Sequence, residues 1–246
     1  MAALASAPLV DRYNVSSLEL IVSGGAPLGA AMHRAVARRL PHAKGGQGYG
    51  LTETAVGITM PDRRSGTVPG SVGRVMPSTE LRVVDTASGR DLGAGERGEL
   101  WVRGPQVMAG YLDRPDATAA VLDGDGWLRT GDLGSVDAAG NVFVHDRLKE
   151  LIKVNAHQVA PAELEALLMT HPGVADAAVV RRPDARRGEV PVAVVVPRGA
   201  LDTGALIGWA AERTAPYKRL ADVRVAERIP RTPAGKIMRR KLERRA

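Results

Sequence analysis

The stretch HDRLKELIKVNAHQVAPAELE, residues 145–165, decides how the chain is divided. Charged residues interrupt its strand-like apolar segments, and the PAELE at its end predicts a helix with Pro161 in the first turn. A short exposed segment between two compact bodies is where a hinge is expected. The sequence therefore predicts a domain border here, with one domain over residues 1–146 and a second over residues 147–246.

Two blocks precede this border. In residues 1–60, LELIV (18–22) predicts a buried parallel strand, and a helix is expected over Ala30–Leu40. In residues 66–145, short apolar segments alternate with glycine turns, which predicts a small β-barrel. Its predicted strands are LRVV (81–84), ELWV (99–102) and NVFV (141–144).

The block after the border predicts a compact α+β unit. Helices are expected over residues 161–169 and near residues 205–213, and strands over VADAAVV (174–180) and VPVAVVV (190–196). The fold class expected for the whole chain is therefore a partial α/β layer with a small barrel, followed by an α+β domain.

Composition excludes several classes of protein. With 246 residues and 44% hydrophobic residues the chain predicts a globular protein, and no apolar run approaches the ~20 residues of a membrane span. The N-terminus has no basic segment followed by an apolar core, so we expect a cytoplasmic protein. The absence of cysteine excludes disulfides, zinc–thiolate sites and cysteine nucleophiles.

The positive charge of the chain favours an anionic partner. The net charge is +7, which suits a nucleotide, CoA or a nucleic acid. Aromatic residues are only 3% and do not alternate with basic residues as single-strand stacking platforms require, so we expect no nucleic acid. The basic segment RIPRTPAGKIMRRKLERRA (228–246) then has two interpretations: an arm for a polyanion, or a loop that presents Lys236.

Two short motifs carry candidate chemistry. In YGLTET (49–54), glycine allows a close backbone approach, a threonine can bond a phosphate oxygen, and a glutamate can hold Mg²⁺; the ordinary alternative is a helix start. In GWLRTGDLG (126–134), Asp132 can accept hydrogen bonds from both ribose hydroxyls; the ordinary alternative is a turn aspartate.

Six motifs occur in an order that is diagnostic when taken together. They are SGGAPL, YGLTE, GELWVRGPQVMAGYL, GWLRTGDLG, DRLKELIKVNAHQVAPAELE and PRTPAGKIMRRKL. In this order they resemble the adenylate-forming superfamily, and their wording resembles the 4-coumarate–CoA ligases and related acyl-/aryl-CoA synthetases. The resemblance implies the last part of the large domain of that superfamily, followed by its small mobile lid domain. It also implies Mg²⁺, ATP or AMP, and coenzyme A as cofactors.

The resemblance assigns roles residue by residue. Tyr49 and Gly50 match the adenine side of the nucleotide site, Thr52 a phosphate-binding catalytic threonine and Glu53 the Mg²⁺ ligand. The ribose pair is Asp132 with Arg147, the hinge residue is Lys149, the CoA segment holds Lys153, Asn155 and Ala156, and the catalytic lysine is Lys236.

Two departures qualify this resemblance. Ala156 stands where the family usually has glycine, beside the path of the CoA thiol. No stretch resembles the hydroxyl-rich phosphate loop of the family, which belongs upstream of SGGAPL. We therefore expect the C-terminal part of a CoA ligase, whether a natural short form, a split-gene product or a fragment.

Three functions stay open from the sequence. The first is a ligase, or an acyl-transferring or cyclising enzyme derived from one, that acts on a small carboxylate with a partner or on a pre-activated acyl group. The second is a nonenzymatic adenylate- or CoA-binding regulatory module, and the third is the disfavoured nucleic-acid binder. Because LELIV belongs to a sheet whose other strands are not seen, a homodimer or a complex with another protein is expected.

Overall fold

The computed structural model describes residues 1–233 and 235–243, so Ala234 and the Arg244–Ala246 end of the basic segment lie outside the described residues. The chain forms two compact units, and the boundary lies between Val144 and His145, two residues before the predicted border.

The elements of unit 1 follow the predicted blocks. In chain order they are α1 (Ala2–Ser6), β1 (Leu20–Ser23), α2 (Ala30–Arg39), β2 (Lys44–Gln47), β3 (Thr59–Met60), β4 (Arg74–Val75), β5 (Glu80–Val84), β6 (Gly98–Arg103), α3 (Pro115–Ala119), β7 (Leu128–Val136) and β8 (Val142–Arg147). Strand β8 crosses the boundary between the units.

The first layer of unit 1 is a parallel pair of strands with helix α2. Strands β1 and β2 pair in the register Leu20 opposite Lys44. Ile21 of β1 and Val36 of α2 lie in one buried apolar cluster, which holds the helix to the strands. The predicted parallel strand and helix are present, and α2 begins at the predicted residue, but the strand is not buried as predicted, since Ile21 alone among the residues of β1 is buried.

The second layer of unit 1 is an antiparallel sheet in the order β5-β6-β7-β8. In β6 every second residue is buried, as expected of a strand with one face on a core. The core beneath the sheet includes Val72, Val83, Leu100 and Val142. The three predicted strands are present, and closure of this sheet into a barrel stays a prediction.

Arginines and tryptophans alternate along one side of this sheet. The guanidinium of Arg82 lies 4.8 Å from the ring centre of Trp101 and 4.4 Å from that of Trp127. Arg129 covers Trp101 at 4.7 Å, and Arg103 covers Trp127 at 4.6 Å. Cation–π contacts of this kind link β5, β6 and β7 to the segment before β7.

Unit 2 is an α+β unit built on one sheet. Its elements are β9 (Ile152–Val154), β10 (His157–Val159), α4 (Pro161–Leu168), β11 (Val174–Asp184), β12 (Gly188–Pro197), α5 (Thr203–Ala211), β13 (Asp222–Val225) and α6 (Arg239–Glu243). The sheet has the order β10-β9-β12-β11, and β13 pairs with β12 in parallel.

Alternation along β11 and β12 gives unit 2 a core on each face of the sheet. Ala177 and Val179 of β11 pack into the cluster that contains α4 and α5. Ala178 and Val180 point the other way and pack against Leu242 of α6. Successive side chains of a strand point to opposite faces, so a strand that is apolar throughout can bury both of them. None of the helices in the described part of the chain has the length and apolarity that a membrane crossing requires.

Candidate functional site

A bulge in β7 determines where Asp132 lies. Strand β6 pairs Glu99 with Leu133 but Trp101 with Arg129, so β7 has extra residues opposite Leu100. The bulge is held by Thr130 Oγ1, which donates to the Leu100 carbonyl at 2.7 Å. Bulges re-aim side chains and are common beside active sites. Here the bulge gives Asp132 a position that is only 2% exposed.

Tyr49 is brought to Asp132 across unit 1. Its hydroxyl donates to Asp132 Oδ2 at 2.6 Å, and its ring packs against the core of the four-stranded sheet. A carboxylate has about four acceptor positions, so this bond is compatible with further bonds from ribose hydroxyls. The structure therefore joins two predicted nucleotide residues that are 83 positions apart in the sequence.

The YGLTET motif forms a compact turn rather than the start of a long helix. Residues Thr52–Thr54 make one 3-10 turn, which the buried Thr54 closes through hydrogen bonds to the Leu51 backbone. After it, Ala55 and Val56 have φ of 45° and 76°, values that L-residues rarely adopt. Strained residues of this kind cluster at functional sites.

Gly50 is required by this turn. A Cβ at Gly50 would lie 1.7 Å from the Val56 carbonyl oxygen, so the backbone return after the turn excludes a side chain there. In the structure, the close backbone approach that glycine allows at position 50 is made by the protein's own chain.

Glu53 is held by a residue that sequence reasoning missed. The hydroxyl of Tyr111 donates to Glu53 Oε1 at 2.7 Å, and the backbone of Met108 donates to the Glu53 carbonyl at 2.8 Å. The bond to Glu53 raises the pKa of the Tyr111 hydroxyl above its ordinary value, and burial adds to the shift. The signal was present, since Tyr111 lies in the motif GELWVRGPQVMAGYL.

The donor set around Glu53 suits Mg²⁺ only in the company of a nucleotide. Among the described residues, no group of three or more His, Cys, Asp or Glu side chains is arranged to hold a metal ion. Mg²⁺ commonly binds through one or two carboxylates together with phosphates and waters. A single carboxylate beside the exposed Thr52 fits that mode.

The first residues of unit 2 are held in place by Asp146. This buried carboxylate accepts from the Arg147 backbone at 2.7 Å and from the Ala162 backbone at 3.0 Å. Ala160 at the N-cap of α4 has no capping side chain, so Asp146 satisfies the helix end from outside. Burial raises the pKa of Asp146 above its ordinary value.

The predicted hinge residue lies in a single turn. Lys149 is exposed in the 3-10 turn Leu148–Glu150, and its carbonyl accepts from Arg181 Nη2 at 2.7 Å. A short exposed turn between regular elements is the kind of segment that absorbs backbone rotation. Hinge motion itself stays a prediction.

The predicted CoA residues lie on the β9–β10 hairpin. Val154 pairs with His157, so Asn155 and Ala156 form a two-residue turn beside Lys153 on β9. Asn155 has φ of 53°, whereas Ala156 is outside the positive-φ region. The left-handed position of the turn is thus taken by asparagine, which tolerates it. Ala156 does not occupy that position and introduces no backbone strain.

Lys236 is presented by a bent turn, as the prolines and glycine around it predict. The Thr232 backbone donates to the Lys236 carbonyl at 2.8 Å, and the Lys236 backbone donates to Thr232 Oγ1 at 3.2 Å. Gly235 has φ of 85°, which favours glycine. Helix α6 begins only at Arg239, three residues later than its helix-compatible sequence suggests.

The structure thus brings some of the predicted residues together within each unit. Tyr49 meets Asp132 in unit 1, and Thr52 shares a turn with Glu53. In unit 2, the hinge, CoA and lysine residues lie on three separate segments: the 148–150 turn, the β9–β10 hairpin and the turn before α6.

Comparisons with known proteins agree with the motifs. The profile of the family described as AMP-binding enzyme matches residues 1–112, and that of the AMP-binding enzyme C-terminal domain matches residues 163–236. A 4-coumarate–CoA ligase 2 from Oryza sativa subsp. japonica is 47% identical over an alignment of 246 positions, which covers 98% of this chain and 43% of the rice protein.

Two solved structures show the same fold. ATP-bound MatB from Rhodopseudomonas palustris has a TM-score of 0.87 and 33% identity, over 92% of this chain and 45% of MatB. The amide bond synthetase McbA from Marinactinospora thermotolerans has a TM-score of 0.86 and 36% identity, over 98% of this chain and 49% of McbA. The chain therefore spans less than half the length of each of these proteins. It belongs to the adenylate-forming family of AMP-binding enzymes and is similar within it to the 4-coumarate–CoA ligases.

Proposed function

We propose that this chain supplies the ribose site, the metal carboxylate and the catalytic lysine of an acyl- or aryl-CoA ligase reaction. The observation that carries this proposal is the 2.6 Å bond from the Tyr49 hydroxyl to the buried Asp132. A carboxylate that a tyrosine hydroxyl orients at a strand bulge can accept further hydrogen bonds, and the two hydroxyls of a ribose suit such an acceptor.

Unit 1 holds the nucleotide in this proposal. Asp132 accepts the ribose hydroxyls, the Tyr49 ring lies against adenine, and Thr52 bonds a phosphate oxygen. Glu53, kept in place by Tyr111, would hold Mg²⁺. When bound, the ion offsets the negative charge that the reaction develops on the phosphates.

Unit 2 supplies the mobile groups. Lys236 places its ammonium near the substrate carboxylate and the α-phosphate while the acyl-adenylate forms and pyrophosphate leaves. Arg147 completes the ribose contacts and Lys149 carries the backbone rotation between half-reactions. Lys153, Asn155 and Ala156 then line the approach of the CoA thiol, which displaces AMP from the acyl carbon.

What the chain does by itself is a narrower proposal. The chain spans 43% of the length of the rice protein, and no segment of its sequence resembles a phosphate loop. We propose that adenylation requires a second polypeptide, and that thioester formation from a preformed acyl-adenylate requires less. A cytoplasmic location is part of the same proposal.

A pair of half-reactions tests this function. A chimera joins the N-terminal part of the rice 4-coumarate–CoA ligase 2 to this chain, and ATP-dependent acyl-adenylate formation is measured by pyrophosphate release. The chain alone is given preformed acyl-adenylate and CoA in a single-turnover assay. Adenylation by the chimera and acyl transfer by either protein are expected.

Binding experiments separate the alternatives. Titration calorimetry with AMP, CoA and a duplex oligonucleotide is expected to give heat with the first two ligands only. Binding of AMP or CoA with no turnover in either assay would favour the regulatory module. Heat from the duplex alone would overturn the nucleotide site.

A further inference from the structure

The turn that carries Lys236 is tied to β11 by the arginine before it. Arg231 Nη2 lies 2.7 Å from Asp176 Oδ1, and Arg231 Nη1 donates to the Gly235 carbonyl at 3.0 Å. One side chain therefore joins a strand of the sheet to the residue immediately before Lys236. Because a guanidinium is a planar fork with five donors, it can make both contacts in one orientation.

A second arginine ties down the other end of the turn. Arg239, the first residue of α6, has Nη2 at 2.8 Å from Glu165 Oε1 and Nη1 at 3.5 Å from Glu150 Oε2. The side chains of Arg239 and Glu165 are 14% and 13% exposed, so solvent screens this pair less than a surface pair. Glu150 adjoins Lys149, and Arg239 therefore connects the lysine turn to the predicted hinge turn.

Packing of α6 against the sheet does not by itself fix both ends of the Lys236 turn. Leu242 is buried in the second core of unit 2 and would hold the helix to the sheet without either arginine. That contact lies beyond the turn, however, and acts on one of its ends only. The two arginines instead bracket Lys236 directly, through Gly235 on one side and the start of α6 on the other.

We propose that Arg231 and Arg239 are positioning residues that fix the two ends of the Lys236 turn. The inference rests on the role of Lys236 in the proposed function, but its test does not. With both ends held, the turn keeps the ammonium of Lys236 in a narrow set of positions, which electrostatic stabilisation of a transition state requires.

Amide hydrogen exchange of the chain, followed by mass spectrometry of peptides covering residues 229–243, tests this inference. In R239M and R231M, exchange at Thr232, Gly235, Lys236 and Met238 should be about tenfold faster, since each loses charge-assisted contacts. R239K should show an intermediate rate, because one ammonium cannot span both carboxylates as the guanidinium does.

Two controls guard against trivial effects. R240M removes an exposed arginine of α6 for which no ion pair is found in the described part of the chain, and its exchange should match the wild type. E165Q/R239M removes both charges of the buried pair and leaves only the more exposed Glu150 without its arginine, so it should still loosen the turn even if R239M fails to fold.

Two results would overturn the inference. One is exchange in the turn that rises no more in R231M and R239M than in R240M. The other is exchange that rises equally in β11 and β12, since the arginines would then support the unit as a whole. If the turn loosens as expected but the chimera tolerates Lys236→Ala, the positioning role stands and the proposed function fails.

Discussion

Asp132 shows what a single residue type can and cannot predict. A glycine-flanked aspartate is most often a turn residue, and its sequence alone favours that reading. In the structure Asp132 lies on a strand and is only 2% exposed, and its Oδ2 accepts a hydrogen bond from a tyrosine hydroxyl. The motif order identified the residue, but the bulge and the Tyr49 contact depend on strand pairing, which a local stretch of sequence does not encode.

The affinity of the chain for AMP should depend on this pair. Asp132→Asn removes the charge of the acceptor that we propose for the ribose hydroxyls and should weaken binding by about 1–3 kcal/mol. Tyr49→Phe removes only the bond that orients the carboxylate and should cost about 0.5–1.5 kcal/mol. Titration calorimetry measures both. Asp125→Asn, the same change at an exposed position, is the matched control, and equal binding by all variants would remove Asp132 from the site.

Lys236 should matter to one half-reaction more than to the other. In the chimera, Lys236→Ala should slow acyl-adenylate formation roughly 10²–10³-fold, as loss of one preorganised electrostatic contact does. Thioester formation from preformed adenylate should change far less, because the proposed rotation of unit 2 would carry the turn away from the reacting groups. Rapid-quench measurement of each step checks this. Arg240→Ala is the control. Similar losses in both steps would overturn the role of Lys236, and similar losses from both variants would indicate a collective basic arm.

At the scale of elements, apolar strands were readable and glycine-rich strands were not. The apolar segments of β6, β11 and β12 predict those strands, of which β6 buries one face and the other two bury both. Strand β7 contains the motif LRTGDLGSV, whose two glycines and aspartate are depleted in strands, and β2 is KGGQ. Both form because neighbouring strands pair with them, which is tertiary context overriding local preference.

The carboxylate behind Arg239 should make the stability of unit 2 depend on pH. Burial raises the pKa of Glu165 from 4.5 to about 6. Since the folded-state pKa is the higher one, the folded state binds more protons. The contribution of Glu165 to stability is therefore complete below the ordinary pKa of 4.5 and is lost as the pH rises through about 6.

Glu165→Gln isolates this effect because an amide resembles the protonated acid. The free energy of unfolding of the variant minus that of the wild type should increase by about 2 kcal/mol between pH ~4.5 and pH ~7. Urea unfolding at a series of pH values measures the difference. Glu227→Gln, the same change at an exposed glutamate of unit 2, is the control. A difference for Glu165→Gln that does not vary with pH would show that burial does not raise its pKa.

At the scale of the whole molecule, the first layer of unit 1 is the incomplete part. Strands β1 and β2 form a two-stranded parallel sheet, and Val22 of β1 is 44% exposed. Parallel strands are normally covered on both faces and joined to further strands, and a two-stranded sheet is marginal by itself. The larger relatives have more than half of their length beyond the matched region.

The chain should therefore associate through residues 1–60, with a second copy or with another protein. Sedimentation velocity at micromolar concentration should show a species larger than the monomer, and Val22→Lys should shift it towards the monomer by placing a charge on the strand. Val225→Lys, a change at an exposed valine of unit 2, is the control. A monodisperse wild-type monomer would contradict the expectation.

The placing of the tryptophans has a spectroscopic consequence. Trp101 and Trp127 both lie in unit 1, with the guanidinium of Arg82 over their rings. Trp209 lies in unit 2, in edge contact with His171. Replacing Trp209 by phenylalanine would leave tryptophan fluorescence that originates from unit 1 alone, and replacing the other two would leave tryptophan fluorescence from unit 2 alone, provided that excitation selects tryptophan over tyrosine. The two halves of the chain thus carry separate built-in optical probes, and their unfolding can be followed independently without an added dye.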